Sequence, residues 1–320
     1  MAKRRKRVES YRRINYSLRP AKNVERKMLS EALSRLSCFE SVGNYRYIGF
    51  GSTYFSDFIL FHKFLRISNM ISIERAVWDR ERFEFNLPFK CIEIEFGESN
   101  DILPSLPWDA KTILWLDYDS QLKDTMLEDI SCFYACAVPG SMIIVTVNAD
   151  TRAEKFKDLL KNLKEQVGEE KVPADVSNEY LKDWGKAKVY RRIIKNEIDQ
   201  TLTQRNGGLE DDKQIIYKQL FNFHYSDGAR MLTVGGLLYE KSQVDIVDKC
   251  KFQDLPFVRF NDTHYNIEIP SLTYREIRHL DKHLPSENIE TLQVSPIPKE
   301  DVKKYARVYR YFPTFAETEI

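Results

Sequence analysis

Four short apolar segments follow one another in the first half of the chain, and each ends in glycine, an acid or a small polar residue. They lie at 47–53, 70–74, 91–104 and 112–119. Helix-like stretches separate them, so successive strands would start roughly 20 to 30 residues apart, as in βαβ units. Parallel strands end at the same edge of a sheet, and the pattern therefore predicts an open α/β sheet with polar groups along one edge.

The predicted strands are almost entirely apolar and rich in isoleucine and valine, which is typical of strands covered on both faces. They are 46–49, 69–73, 91–96, 112–116 and 142–147. Helical spacing of apolar residues predicts helices at 21–36, 54–65, 77–85 and 122–137. Two later strands, 219–225 and 230–239, flank a turn signal and predict a hairpin. The expected fold is a doubly wound, mostly parallel, seven-stranded sheet closed by an antiparallel hairpin.

The character of the chain changes on both sides of this predicted sheet. Residues 1–22 read as a basic N-terminal arm, and 23–242 as the α/β domain. Within that domain, 151–212 is polar and mostly helical in pattern, so it is predicted to be an insertion before the hairpin. Residues 243–320 form a C-terminal appendage, in which the pattern Thr273-Tyr-Arg-Glu276 predicts the capping box of a further helix.

Composition sets limits on the class of protein. A hydrophobic fraction of 42% fits a globular chain, and no apolar run approaches the roughly 20 residues of a membrane span. No apolar segment follows the basic start, so we expect no secretory signal. The five cysteines are odd in number and are predicted to be buried, reduced thiols. Together these features predict a cytoplasmic protein that does not insert into membranes.

The net charge of +1 gives no overall argument for nucleic-acid binding, but the charges are unevenly distributed. Lysine and arginine residues crowd the predicted arm, which could contact phosphates of a nucleic acid or a protein partner. The alternative is a solvated and partly disordered terminus.

The turn after the first predicted strand carries the first candidate site residues. Gly49 and Gly51 would let the backbone approach a ligand closely, and Ser52 follows where a helix N-terminus offers free N–H groups. This is not a GxGxxG motif, and the alternative is a tight strand-to-helix turn.

Two further candidates follow the second and third strands. Glu74 ends the second strand, where an acid can accept hydrogen bonds from both hydroxyls of a ribose. Ser99 and Asn100 lie after the third strand and are candidates to bind an adenine edge. The alternatives are a surface acid and a helix-capping loop. The order of these signals favours S-adenosylmethionine over a dinucleotide as the cofactor.

Oxygen-bearing side chains also follow the fourth and fifth strands. Asp117 and Asp119 come after the fourth, and Asn148 and Asp150 after the fifth. Neighbouring strands would bring these oxygens together, and hard oxygen ligands suit Mg²⁺, which could bind substrate oxygens. In the competing interpretation, Asp117 positions the substrate or the methionine end of the cofactor, while Asn148 and Asp150 cap the next helix.

Three of these stretches resemble a known family. They are Gly-Glu-Ser-Asn-Asp-Ile-Leu-Pro at 97–104, Leu-Asp-Tyr-Asp at 116–119 and Pro-Gly-Ser-Met-Ile-Ile-Val-Thr-Val-Asn at 139–148. The chain resembles class I S-adenosylmethionine-dependent O-methyltransferases, in particular the catechol O-methyltransferase-like branch, over about 45–150. Segments 15–22 and 272–285 look like those of bacterial predicted methyltransferases.

The resemblance implies roles for the candidate residues. Gly49, Gly51, Glu74 and Ser99 would hold the cofactor, while Asp117, Asn148 and Asp150 would bind Mg²⁺. The family's lysine base has no counterpart at its usual spacing, and Lys123, further along the chain, is the candidate in its place beside Asp117 and Asp119.

The chain also lacks the family's leading acid and usual glycine spacing in the first motif, and the order of Asn148 and Asp150 differs from the family's. The predicted function is methyl transfer from S-adenosylmethionine to an oxygen of an unknown acceptor. The alternative is a catalytically degenerate protein that binds the cofactor or nucleic acid.

Overall fold

The computed structural model describes residues 19–292 and 294–313. Its centre is a sheet of eight strands. In chain order these are β1 (Arg46–Gly49), β2 (Asn69–Glu74), β3 (Ile92–Phe96), β4 (Thr112–Asp117), β5 (Met142–Asn148), β6 (Ile215–Ser226), β7 (Arg230–Glu240) and β8 (Tyr265–Ile267).

The strand order in the sheet is β3-β2-β1-β4-β5-β7-β6-β8. Strands β1 to β5 are parallel, and β7 is antiparallel to both of its neighbours. Because β1 pairs with both β2 and β4, the order reverses between β1 and β4, and ligands bind at such a reversal, beyond the carboxyl ends of the strands. The prediction of a doubly wound sheet with an antiparallel hairpin is confirmed. The strand count differs by one, because the short strand β8 adds to the free edge of β6.

Helices cover both faces of the sheet. They are α1 (Pro20–Ser34), α2 (Ser56–Leu65), α3 (Arg80–Phe85), α4 (Ser99–Ile102), α5 (Asp124–Cys136), α6 (Leu159–Val167), α7 (Gly185–Arg205), α8 (Val244–Lys249), α9 (Tyr274–Asp281) and α10 (Lys299–Val308).

Alternate residues of each strand enter opposite halves of the core. Tyr47 of β1 packs with the buried residues of α1 and α2, whereas the next residue, Ile48, packs with those of α5 and α7. This alternation explains why the central strands are apolar throughout.

Two helix starts differ from the periodic pattern. The helix predicted from residue 54 begins only at Ser56, because Phe55 has a left-handed backbone with φ of 46°. The helix predicted from residue 77 is a 3₁₀ turn, Val77–Asp79, followed by α3. In contrast, the capping box at the start of α9 forms as predicted, with the Thr273 side chain accepting from the Glu276 N–H.

The two ends of the described chain pack against the sheet. Helix α1 starts inside the segment predicted as a basic arm, and Lys22 is only 1% exposed, so this lysine is not part of a solvated arm. Residues 1–18 of the arm lie outside the described residues. In the C-terminal segment, Phe257, Tyr265 and Tyr311 are buried in the same cluster as α1. No helix in the part of the chain that the structure describes is long and apolar enough to cross a bilayer.

Candidate functional site

A cleft of about 240 Å³ opens at the carboxyl ends of β1 to β4, where the strand order reverses. Eight of the predicted site residues line it: Gly51, Ser52, Glu74, Ser99, Asn100, Asp117, Asp119 and Lys123. The other three, Gly49, Asn148 and Asp150, are not among the lining residues. The topology therefore brings together residues that lie more than seventy positions apart in the sequence.

The backbone after β1 comes very close to its neighbours at Gly51. Its N–H donates to Ser72 Oγ at 3.0 Å, and a Cβ at this position would lie 2.5 Å from the Phe55 ring. Gly51 therefore has to be glycine for the turn to close. Gly49 is tight for a different reason, since a Cβ there would lie 2.6 Å from the Tyr47 hydroxyl. Its small size serves packing behind the cleft.

Glu74 lies at the end of β2 and is only 7% exposed, although it lines the cleft. The Ser72 hydroxyl donates to its Oε1 at 3.1 Å. Burial raises the pKa of Glu74 to about 8, against the opposing effect of the hydrogen bond from Ser72. A buried acceptor in this position has the chemistry to bind a pair of ligand hydroxyl groups.

A second buried acid, which the sequence analysis did not identify, faces the cleft from α5. Asp129 Oδ2 accepts hydrogen bonds from the hydroxyls of Ser99 and Tyr118, each at 2.5 Å. Burial raises the pKa of Asp129. The Tyr118 ring lies 5.2 Å from the ring of Phe50, and both rings border the cleft. Asp129 lies on the otherwise apolar face of the predicted helix, and this unusual position was the signal in the sequence that could have identified it.

Side chains of both charge types also line the cleft. Arg26 of α1 and Asp57 of α2 are both largely buried and both line it. The Tyr47 hydroxyl donates to Asp57 Oδ2. Burial raises the pKa of Asp57, and the nearby Arg26 opposes this shift. These residues were also missed, since the sequence alone does not place α1 beside the cleft.

Asp117 ends β4 and is held by a residue from the start of the described chain. Its Oδ1 accepts from Lys22 Nζ at 2.7 Å, and the same ammonium lies 2.7 Å from Glu25 Oε2. Thr233 donates a hydrogen bond to Glu25. Burial raises the pKa of Glu25. Asp119 and Lys123 also line the cleft, but both are exposed.

The predicted metal ligands after β5 are occupied elsewhere. The Asn148 Oδ1 accepts from the backbone N–H of Asp150 at 2.8 Å, and Asp150 forms an ion pair with Arg152. Hydrogen bonding by Arg152 lowers the pKa of Asp150. Within residues 19–292 and 294–313, no three His, Cys, Asp or Glu side chains are grouped so that they could hold a metal ion. The predicted Mg²⁺ site is therefore not supported.

The sequence matches a protein-family profile over residues 14–320, and that family is described as "Putative O-methyltransferase". The chain belongs to this family. This match confirms the resemblance to O-methyltransferases that the motifs at 97–104, 116–119 and 139–148 predicted. No curated protein matches the chain.

The chain is also similar to several solved structures. Trm1 from Pyrococcus horikoshii, solved with S-adenosyl-L-methionine, has a TM-score of 0.44 at 9% identity, covering 70% of this chain and 56% of that chain. Human N-acetylserotonin methyltransferase, solved with the same cofactor, has a TM-score of 0.31 at 13% identity, covering 69% and 57%. Spermidine synthase from Thermotoga maritima has a TM-score of 0.37 at 11% identity, covering 75% and 67%. The chain spans about half the length of the solved structures that it matches first.

Proposed function

We infer that the protein transfers the methyl group of S-adenosylmethionine to an oxygen atom of an acceptor, with the cofactor in the cleft at the reversal of strand order. The observation that carries this inference is Glu74, a buried carboxyl that lines the cleft at the end of β2. A ribose diol is the group that such a residue binds in nucleoside-binding α/β sheets. Membership of the O-methyltransferase family supports the same activity.

The remaining lining residues suit the other parts of the cofactor. Ser99, Asn100 and Asp129 offer hydrogen-bonding groups for an adenine, beside the aromatic rings of Phe50 and Tyr118. At the opposite end, the methionine part carries one ammonium and one carboxylate. The buried pair of Asp57 and Arg26 provides one charge of each sign for it. Gly51 and Ser52 also border the cleft.

When bound, S-adenosylmethionine supplies a methyl carbon activated by its positively charged sulfur. The acceptor oxygen forms the new C–O bond as the C–S bond breaks, the bonding electrons stay on sulfur, and the acceptor loses its proton. In this proposal Asp117 accepts a hydrogen bond from the acceptor hydroxyl and orients it toward the methyl carbon. Asp119, an exposed carboxyl that lines the cleft beside Lys123, is the group through which the acceptor proton can pass to solvent. This route uses no metal, because Asn148 and Asp150, two of the three side chains predicted to bind one, are engaged in local contacts.

Isothermal titration with S-adenosylmethionine and its demethylated product tests the cofactor assignment. We expect both to bind, and Glu74→Ala to weaken binding by about tenfold to a hundredfold, since a hydrogen bond to a charged group is lost. Glu93→Ala is the matched control, because Glu93 is an exposed acid on the neighbouring strand β3. Absence of heat with either ligand, or equal effects of the two substitutions, would rule out the assignment. Release of the demethylated product with a panel of hydroxyl compounds then identifies the acceptor.

The contact between the basic arm and nucleic acid or a protein stays a prediction, because residues 1–18 lie outside the described residues. A comparison of the full chain with one lacking residues 1–18, measured for RNA and DNA binding across salt concentrations, tests it. A phosphate-driven contact weakens steeply as salt rises.

A further inference from the structure

Lys22 is a buried cation that contacts Asp117, a residue that lines the cleft. Lys22 was assigned to the basic arm in the sequence analysis, which predicted no such contact. Its side chain is 2% exposed, and Nζ lies 2.7 Å from Asp117 Oδ1 and 2.7 Å from Glu25 Oε2. The Tyr225 hydroxyl lies 3.3 Å away, and the ring centroid of Trp115 is 4.4 Å from Nζ. Three oxygen atoms thus surround an ammonium group that has three N–H donors.

This arrangement marks Lys22 as a fixed positive charge and not as a proton acceptor. A lysine acting as a base must present a free lone pair toward its substrate, whereas here the oxygen atoms of Asp117, Glu25 and Tyr225 all lie within 3.3 Å of Nζ. The surrounding hydrogen bonds also fix its position. Glu25 accepts from Thr233, the Thr233 hydroxyl lies 2.8 Å from that of Thr146, and Trp115 Nε1 donates to Thr146 at 3.1 Å.

The position of this charge corresponds to that of the predicted metal. Asp117 is the carboxylate expected to bind Mg²⁺, and its Oδ1 faces Lys22. The two partner ligands expected after β5, Asn148 and Asp150, form a turn hydrogen bond and an ion pair with Arg152 instead. Among the described residues, Asp117 therefore has no donor set for a divalent cation around it, while a positive charge is already present.

We propose that the Lys22 ammonium takes the place of a divalent cation in this protein, neutralising and orienting Asp117 so that methyl transfer proceeds without a metal. Lys22 is then a positioning residue that acts through Asp117, which lines the cleft with its side chain 26% exposed. The role of Asp117 toward the acceptor rests on the proposed function. The claim that no cation binds at Asp117 does not depend on it.

Titration of the wild-type protein with Mn²⁺, followed by electron paramagnetic resonance, is the first test. We expect Asp117→Asn to bind as many Mn²⁺ ions as the wild type does. Addition of EDTA should change the affinity for the cofactor by less than about twofold. A Mn²⁺ site in the wild type that is lost in Asp117→Asn would overturn the proposal. This measurement needs neither a Lys22 variant nor a known acceptor.

Substitution of Lys22 is the second test. Lys22→Met should lower kcat by about tenfold or more, with KM for S-adenosylmethionine nearly unchanged, because a charged hydrogen-bonding partner of Asp117 is lost. Lys22→Arg should restore part of kcat. Lys27→Met, on the same helix but outside the network, should leave kcat unchanged, and Lys22→Met behaving like this control would contradict the proposal. Failure of the wild type to bind cofactor would reject the proposed function, while the Mn²⁺ result would still decide the inference about Lys22.

Discussion

At the scale of single residues, the cleft is notable for carboxyl groups that are buried while still lining it. Glu74 and Asp57 both have a pKa raised chiefly by burial, so in the ligand-free protein each holds its proton at higher pH than an exposed acid does. A ligand that donates hydrogen bonds favours the ionised form. Binding should therefore be linked to proton release.

This linkage predicts how cofactor affinity depends on pH. Glu74 is protonated in the free protein below about pH 8 and ionises when a ribose diol donates to it, so a proton leaves on binding. We expect affinity for the demethylated product to rise by up to about tenfold per pH unit toward pH 8 and then to level off. Titration calorimetry in buffers of different ionisation enthalpy measures the released proton directly.

Glu74→Gln is the variant that isolates this effect. Its side chain keeps the shape of glutamate but cannot ionise, so its affinity should lose the part of the pH dependence that centres on pH 8. If the variant and the wild type release the same number of protons between pH 6 and 8, the release comes from another group.

At the scale of secondary-structure elements, the pattern of apolar residues predicted the parallel strands well but missed a short strand and misplaced the start of a helix. The predicted 46–49 coincides with β1, and 112–116 stops one residue short of the end of β4. Almost every residue of both strands is buried, so each strand appears in the sequence as a continuous apolar run that is easy to recognise. Strand β8 has only three residues and was not predicted, because its pairing with β6 depends on tertiary contacts. The start of α2 was misplaced for a local reason, the left-handed backbone of Phe55.

The packing of the C-terminal segment makes a prediction about stability. Phe257 is fully buried and packs against Phe223, Tyr265 and Tyr311. We expect Phe257→Ala to lower the free energy of unfolding by about 3–5 kcal/mol, because it leaves a cavity in the core shared with α1. Denaturant unfolding measures this value.

Phe260→Ala is the matched control, since Phe260 is 45% exposed in the same segment. It should change the free energy of unfolding by less than about 0.5 kcal/mol. If Phe257→Ala is equally mild, the segment after residue 242 is independent of the sheet, as the appendage predicted from the sequence would be.

At the scale of the whole molecule, the described ends of the chain meet in one part of the core. Helix α1, strand β6 and the C-terminal residues Val308 and Tyr311 belong to a single buried cluster. Helix α1 also carries Arg26 to the cleft and Lys22 to Asp117, which lines the cleft, so the site and the fold depend on the same contacts.

Because the site and the core depend on the same contacts, we expect the domain to unfold in one cooperative step and the cofactor to stabilise all of it together. Calorimetry should show one transition, and the demethylated product at about a hundred times its Kd should add about 2.7 kcal/mol to the free energy of unfolding. Amide exchange in β8 should slow together with that in β1. Two transitions, of which only one responds to ligand, would show that the C-terminal segment unfolds separately.

Sequence alone was sufficient for the class of fold, the succession of parallel strands along the chain and most of the predicted residues that line the cleft. Each of these depends on local patterns, namely buried apolar runs and the polar residues at their carboxyl ends, such as Glu74 and Ser99. The contributions of Lys22, Arg26 and Asp129, and the occupied state of Asn148 and Asp150, required the tertiary structure. These residues act through partners far away in the chain, and no spacing in the sequence specifies which side chain from α1 reaches the end of β4.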